Sequence, residues 1–314
     1  MSPIINGRVL FNSIPNGYPI PGETTVYDTT QTIDVETHSL DGGFLVKTLV
    51  LSIDPYQRGR MRSPEKESYV AAFKIGQPIT GFGVGVVLRS ENTEVAPGKY
   101  VYGAEFHSVA PQLMGFEFLE KNPDLPWTVY VGAAGMPGAK SLPPLFNQEA
   151  NNGETAFVTT GAGPLAKRDG LKVIASAGSE EKVQFMKDIG ADVAFNYKTT
   201  NTREVLAREG PIDIYWDNVA GEVLDAALEN AAVYGRFIEC GMISEYQAGR
   251  RQVLDAQRSR GLSSHEIQRR VLCDSALRTP NGELKYLEDV SYGLDKVGDF
   301  CSRCRRERTR GRRW

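Results

Sequence analysis

The sequence predicts an α/β protein whose second half is a doubly wound parallel sheet and whose first half is built from short β-strands. Three observations lead there. Residues 156–160 form an apolar strand segment, 173–176 a second and 193–195 a third, with helix-compatible sequence at 180–190 before the third. Gly161, Gly163 and Ala166 fit G-x-G-x-x-G/A directly after the first of these strands. In that context the glycines let backbone amides approach a pyrophosphate at a helix N-terminus. Before residue 150, β-branched runs are punctuated by glycine, as in a domain of short strands. With 314 residues the chain exceeds what one core usually serves, so two domains are expected.

The elements follow in chain order. Residues 42–56 (GGFLVKTLVLSIDPY) and 77–90 (QPITGFGVGVVLRS) are apolar, β-branched runs, and the turn-rich 96–103 (APGKYVYG) follows them. Together they suggest a small barrel-like domain. Residues 125–138 (LPWTVYVGAAGMPG) mark the passage into the second half, and in 139–153 Pro143 and Pro144 break helical periodicity. The crossover between the first two strands of the sheet is short: eleven residues, 161–171. A strand return of roughly 17 to 20 Å must be made there, and residues 164–169 as a helix would rise only about 9 Å. A βαβ crossover normally takes at least about 10 to 12 residues. The helix that should aim its dipole at phosphate is therefore expected to be absent or a stub, the sheet face beneath it to be uncovered, and NADPH to bind weakly or not at all.

The net charge is −3 and the mean hydropathy −0.32, values of a protein in water. No apolar run reaches the roughly 18 to 20 residues of a bilayer span, and no basic-then-apolar leader begins the chain. A cytoplasmic location is expected. The four cysteines, Cys240, Cys273, Cys301 and Cys304, all lie in the last quarter and make no disulfide framework. With no cysteine before Cys240, and with His38 and His107 standing alone, the ligand sets of a zinc enzyme are missing, so no metal is expected.

Charge is uneven along the chain. Residues 1–247 hold nine arginines and eleven lysines, whereas the last 67 hold fourteen arginines and two lysines. Two blocks, 248–278 and 301–314, account for the change, while 279–300 returns to the earlier usage. A basic nucleic-acid arm is one reading of the tail; altered splicing or a shifted reading frame, which would also account for the short crossover, is the reading preferred here.

Cofactor choice can be argued from the end of the second strand. An acidic residue there bonds the ribose 2′-hydroxyl of NAD and would repel a 2′-phosphate. Here the strand ends Ser176-Ala177-Gly178-Ser179, without a carboxylate, and Lys182 follows one turn into the helix, where its ammonium can reach a phosphate. A solvent-facing lysine is the bland alternative.

Several motifs together, SIDPYQRGRM, GFGVGVV, LPWTVYVGAAGMPG, ETAFVTTGAGP, SAGSEEKVQFMKDIGADVAFNYKT, IDIYWDNVAGE and GRFIECGMISEY, resemble the zinc-independent medium-chain dehydrogenase/reductase family. Within it the chain is similar to the NADPH-dependent alkenal double-bond reductases, the branch of prostaglandin reductases and leukotriene hydroxydehydrogenases. The resemblance implies a GroES-like β-barrel substrate domain over residues 1–127 plus 280–314, and a Rossmann nucleotide-binding domain over 128–279. It also implies that Lys182 and Tyr197 contact the adenosine 2′-phosphate region, with Ser179 beside them. Asn218 and the run Cys240, Gly241, Met242, Ile243 and Ser244 match the family's nicotinamide-side loop, and Ala220 stands where a second glycine is usual.

The implied activity is NADPH-dependent reduction of the carbon–carbon double bond of α,β-unsaturated aldehydes or ketones. Hydrogen-bond donors aimed at the substrate oxygen stabilise the developing enolate. Tyr246 and Tyr56 match family tyrosines beside the substrate, against the plainer reading of tyrosines packed by their rings. A quinone oxidoreductase of the same fold, a catalytically inactive family member with lost segments, and a basic-tailed binding protein are the alternatives. The partner expected is a small enal or enone; neither membrane nor nucleic acid is expected, and a homodimer is left open.

Overall fold

The computed structural model describes residues 3–68, 70–104, 109–110, 116–135, 153–159, 170–239, 241–244, 286 and 288–302. The chain divides into two units, Met1–Pro137 with Leu272–Arg306, and Gly138–Val271 with Glu307–Trp314.

In the first unit, β1 (Ile4–Ile5) pairs antiparallel with β4 (Thr32–Ile33), and β2 (Arg8–Phe11) with β3 (Thr25–Asp28). A five-stranded antiparallel sheet follows: β5 (Phe44–Leu51), β6 (Gly83–Ser90), β7 (Tyr100–Gly103), β8 (Val109–Ala110) and β9 (Phe116–Leu119), in the order β8-β5-β6-β7-β9. The β-branched residues that suggested strands fill the core between them, where Phe44, Val46, Val87, Val95 and Val101 pack together. Both long runs are only partly strand. The first turns at Pro55 into helix α1 (Tyr56–Arg60). The second becomes β6 only at Gly83, because Pro78 has no N–H to give a ladder and makes an isolated bridge with Leu10 instead. Helix α2 (Trp127–Val131) buries Val129, Tyr130 and Val131 against Val84 and Tyr102 of the antiparallel sheet. That packing keeps residues 128–137, expected in the second domain, with the first unit.

The second unit alternates strand and helix: β10 (Thr155–Thr159), β11 (Lys172–Ala177), α3 (Glu180–Asp188), β12 (Val193–Asn196), α4 (Thr202–Glu209), β13 (Ile212–Asp217), α5 (Glu222–Glu229) and β14 (Ala231–Glu239). The strands are parallel in the order β12-β11-β10-β13-β14. The inner strands β10, β11 and β13 are almost wholly buried and read as near-continuous apolar runs rather than alternating ones, whereas the edge strand β14 leaves Val233 and Tyr234 exposed. On one face Phe157, Ile174, Phe195, Ile212 and Tyr215 meet Val205 and Leu206 of α4 and Ala226 and Ala227 of α5. On the other, Ala175 and Ala177 meet Val183 and Met186 of α3.

Two expectations about the crossover change. Strands β10 and β11 pair in full register from Thr155↔Lys172 to Thr159↔Ser176. The four Cα-to-Cα steps across these five residues, at about 3.3 Å each, make the return only about 13 Å, which a short connection can span. The sheet face is also not left open, since Ala156, Val158, Val173 and Ile214 are all buried. Residues 160–169, and with them the stub helix, lie outside the described residues, as do 136–152 and the arginine-rich blocks apart from 301–302.

Candidate functional site

In the second unit the strand order reverses between β10 and β13, and the carboxyl ends of these strands are where an open parallel sheet takes its ligands. The two strand ends are tied to each other. Thr159 Oγ1 donates to the Trp216 carbonyl at 3.1 Å and accepts from the Asn218 N–H at 2.8 Å. The Asn218 amide returns a bond to the Thr159 carbonyl at 3.0 Å. Asn218 is thereby fixed by its main chain and its side chain at once.

Asp217 holds the turn that follows. Its Oδ1 accepts from the Tyr215 hydroxyl at 2.8 Å, from Val219 N–H at 2.7 Å and from Ala220 N–H at 2.8 Å. Its Oδ2 has no hydrogen-bond partner among the described residues, and the side chain is buried. Burial therefore raises the Asp217 pKa, against the opposing pull of the two backbone donors and the tyrosine. Burial and then the charge of Asp217 push the Tyr215 phenol far upward, so it stays protonated and donates to Asp217. Glu239, the register partner of Asp217 on β14, is also raised, by burial first and by Asp217 second.

The turn in turn carries the segment after β14. Gly241 N–H donates to the Asp217 carbonyl at 3.0 Å, Ile243 N–H to the Asn218 carbonyl at 3.2 Å and Ser244 N–H to the Val219 carbonyl at 3.1 Å. The Ser244 hydroxyl adds a bond to Val219 O. Residues 241–244 thus lie strapped along 217–219, a ladder of main-chain bonds in which Met242 contributes only its place in the run.

A second cluster forms where β11 and β12 end. Ser179 caps α3, its hydroxyl accepting from Lys182 N–H at 3.4 Å, and Lys182 is half-buried in the first turn. The turn after β12 is pinned by Asn196, whose amide donates to Glu180 Oε1 at 2.7 Å and whose Oδ1 accepts from Lys198 N–H at 3.1 Å. Tyr197 N–H bonds the Ala177 carbonyl at 3.0 Å. The Tyr197 phenol then lies over Gly178: a Cβ there would stand 2.6 Å from its hydroxyl oxygen and 3.2 Å from Lys198 Cε.

Chain comparisons give the lineage of this sheet. A family model described as the N-terminal domain of oxidoreductase matches residues 8–109, and one described as zinc-binding dehydrogenase matches 158–269. The chain is 34% identical over 321 residues to the 2-alkenal reductase (NADP(+)-dependent) of Nicotiana tabacum, covering 94% of this chain and 92% of the relative. The chain belongs to the medium-chain dehydrogenase/reductase family. It is also 31% identical over 325 residues to the (+)-pulegone reductase of Mentha piperita, covering 94% of this chain and 93% of that one. Among solved structures, CurA of Vibrio vulnificus in complex with NADPH superposes with a TM-score of 0.79 at 25% identity, over 95% of each chain. Both alignments with the plant reductases are longer than the 314-residue chain itself, so parts of those relatives face gaps in it. The zinc-binding-dehydrogenase match, in contrast, continues to 269, across the start of the first arginine-rich block.

Of the residues expected from the sequence of this dehydrogenase/reductase, the fold gathers Ser179, Lys182 and Tyr197 at one strand end, and Asn218, Gly241, Met242, Ile243 and Ser244 at another. Gly161, Gly163, Ala166, Cys240 and Tyr246 lie outside the described residues. Tyr56 opens α1 in the first unit, half-buried, its ring edge-on to Phe82 at 6.4 Å. The residues after it fix its helix: Gln57 bonds Asp54 N–H and the Thr80 carbonyl, Arg58 the carbonyls of Pro15 and Gly17, and Arg60 the Ala71 carbonyl and Thr80 hydroxyl. Sequence reasoning missed Thr159, Asp217 and Gly178. The adjacent Asp217-Asn218 pair at a strand end was the available signal, since short polar side chains there commonly bond the following backbone.

Proposed function

We propose that this chain is an NADPH-dependent reductase of the carbon–carbon double bond of α,β-unsaturated aldehydes or ketones, working without zinc. The observation that carries the cofactor choice is the end of β11. Gly178 and Ser179 stand where an NAD-type carboxylate would be, and the Gly178 position is a cradle that a Cβ would fill, with the Tyr197 phenol and Lys198 above it. Ser179, Lys182 and Tyr197 supply donors and a positive charge, a set that fits a 2′-phosphate. The names of the two plant relatives and the NADPH bound to CurA support the same reading. Zinc independence rests on the sequence, which has no cysteine before Cys240 to build the ligand sets of a zinc enzyme.

When bound, NADPH supplies a hydride to the β-carbon of the enone. The chain's own part is to hold geometry and to stabilise charge. Asn218 and the strapped 241–244 segment form a rigid wall at the switch point, the side assigned to the nicotinamide. The hydroxyl of Tyr246 or Tyr56 donates to the substrate carbonyl oxygen as it becomes an enolate, a bond that strengthens in the transition state. We assign the first unit to substrate and the second to nucleotide. Purified chain given NADPH and a short 2-alkenal should yield the saturated aldehyde. Recovery of the allylic alcohol, or turnover of quinones alone, would overturn the assignment.

An inactive family member is favoured by one specific observation, the gaps this chain leaves against its relatives. Thermal stabilisation by NADPH separates the two readings, because a ligand that binds only the native state raises its stability.

A further inference from the structure

We infer that Asp217 is a positioning residue for the proposed reduction: its buried carboxyl shapes the turn on which the 241–244 strap lies, and Glu239 beside it makes that hold depend on proton binding. The inference rests on the reductase reading above and adds a residue and a physical cause to it. Asp217 acts through the wall assigned to the nicotinamide rather than as part of it.

The geometry lies within the second unit. Oδ1 of Asp217 gathers the Tyr215 hydroxyl and the N–H groups of Val219 and Ala220, which fixes the turn directly after β13. The main chain of that turn then takes the strap, with Gly241 N–H on the Asp217 carbonyl, Ile243 N–H on that of Asn218 and Ser244 N–H on that of Val219. Each of these bonds ends on residues 217–219, whose course the carboxyl sets. Glu239 stands next to Asp217 in the register of β13 and β14, strands about 4.8 Å apart, and leads through Cys240 into Gly241. Two carboxyls thus flank the foot of the strap. Among the described residues no cation pairs with either of them. Of the neighbouring elements, β13 brings the Tyr215 phenol and β10 the Thr159 hydroxyl, while Glu222 and Asp225 at the start of α5 act on Arg203 of α4. Ionising both carboxyls sets like charges side by side in a partly dry site, which is unfavourable. One proton on Asp217 Oδ2 removes the repulsion and leaves Oδ1 to its donors. Burial raises both groups, and Asp217 adds to the rise of Glu239, so the closed strap binds the proton more tightly than an opened form in which water reaches the carboxyls. The stability of the closed strap is then fully present below the ordinary carboxylate values and is lost as pH rises through the raised ones.

The test reads the strap without turnover, by NMR amide exchange of Gly241, Ile243 and Ser244 corrected for the intrinsic pH dependence of exchange, with amides of β10 and β11 as controls for folding. Strap protection should fall as pH rises above the ordinary carboxylate range while the controls hold. Asp217→Ala, which offers no acceptor, should lower strap protection by roughly tenfold or more at every pH. Asp217→Asn, which keeps one oxygen, should restore most of it and remove the pH dependence, and Glu239→Gln should shrink that dependence with the turn intact. Where Asp217→Ala also loses the controls, the profiles of these two neutral variants decide. In turnover of an enal, Asp217→Ala should lower kcat more than it raises KM for NADPH, with Asp217→Asn again the rescue. Strap protection unchanged in Asp217→Ala, a pH dependence of full size in both neutral variants, or a loss confined to KM would overturn the role given to Asp217. A chain that shows the exchange changes yet reduces no enal would sink the reductase reading and leave the hold of Asp217 on the strap standing.

Discussion

Ala220 has φ of 62° and is buried, so the position where the family usually carries glycine adopts the left-handed conformation that glycine adopts without strain. The departure noticed in the sequence is thus a backbone matter. Strain of about 1 to 2 kcal/mol for alanine there, less the entropy glycine loses on folding, leaves Ala220→Gly stabilising by about 0.5 kcal/mol, readable as a higher denaturant midpoint. An unchanged or lower midpoint would show that the buried methyl matters more. At Lys182 the expectation is functional: Lys182→Ala should erode the preference for NADPH over NADH by about 1 to 3 kcal/mol, and equal affinities in the wild-type chain would remove the basis for it. Asp217 gives a pH dependence whose sign can be worked out. Its folded pKa is raised above the ordinary 3.8 by burial, so the native state holds its proton more tightly than the unfolded chain. Stability attributable to Asp217 is then greatest at low pH and falls as pH rises from about 3.8 through the folded value. Asp217→Asn, which keeps an oxygen for Val219 and Ala220, should flatten that part of a melting-temperature profile; a profile that keeps its slope would assign the dependence to other groups.

At the scale of elements the short connection between β10 and β11 is the informative one. Its length was legible in the sequence, and so was the parallel pairing it serves, because two apolar runs flanking a glycine turn have few other arrangements. The return distance was not legible: it depends on how many residues pair, and the strands share five. What a short connection cannot supply is a helix of ordinary length with free N–H groups directed at phosphate. Inserting about seven helix-favouring residues between Pro164 and Leu165 would give a helix of roughly three turns and should tighten NADPH binding, seen as a larger cofactor-dependent rise in melting temperature. An equal rise in the unmodified chain would show that the existing connection already serves. The strap from 241 to 244 was partly legible as well. The family motif named its residues, whereas the ladder onto 217–219 needs β13 and β14 side by side, as in the pairing of Asp217 with Glu239.

For the whole molecule, the arginine-rich end bears on function more than on fold. If it were a nucleic-acid arm, retention on DNA would fall steeply with salt and vanish on removing residues 303–314. The enzyme reading expects the full chain to show no such salt-dependent retention, and retention lost with the tail would favour the binding protein. No helix among the described residues is long and apolar enough to cross a membrane. The sequence by itself determined the class of the fold, the missing carboxylate at the end of β11 and the residues offered to a cofactor, because these follow from local periodicity and from the chemistry of single side chains. Tertiary structure alone decided that Asp217 is buried with one oxygen lacking a hydrogen bond among the described residues, that Thr159 locks Asn218 and that Tyr197 lies over Gly178. Each of those depends on strands distant in sequence being brought to 3 Å contacts by the register of a sheet, and register is set by the packing of both faces at once rather than by any one segment.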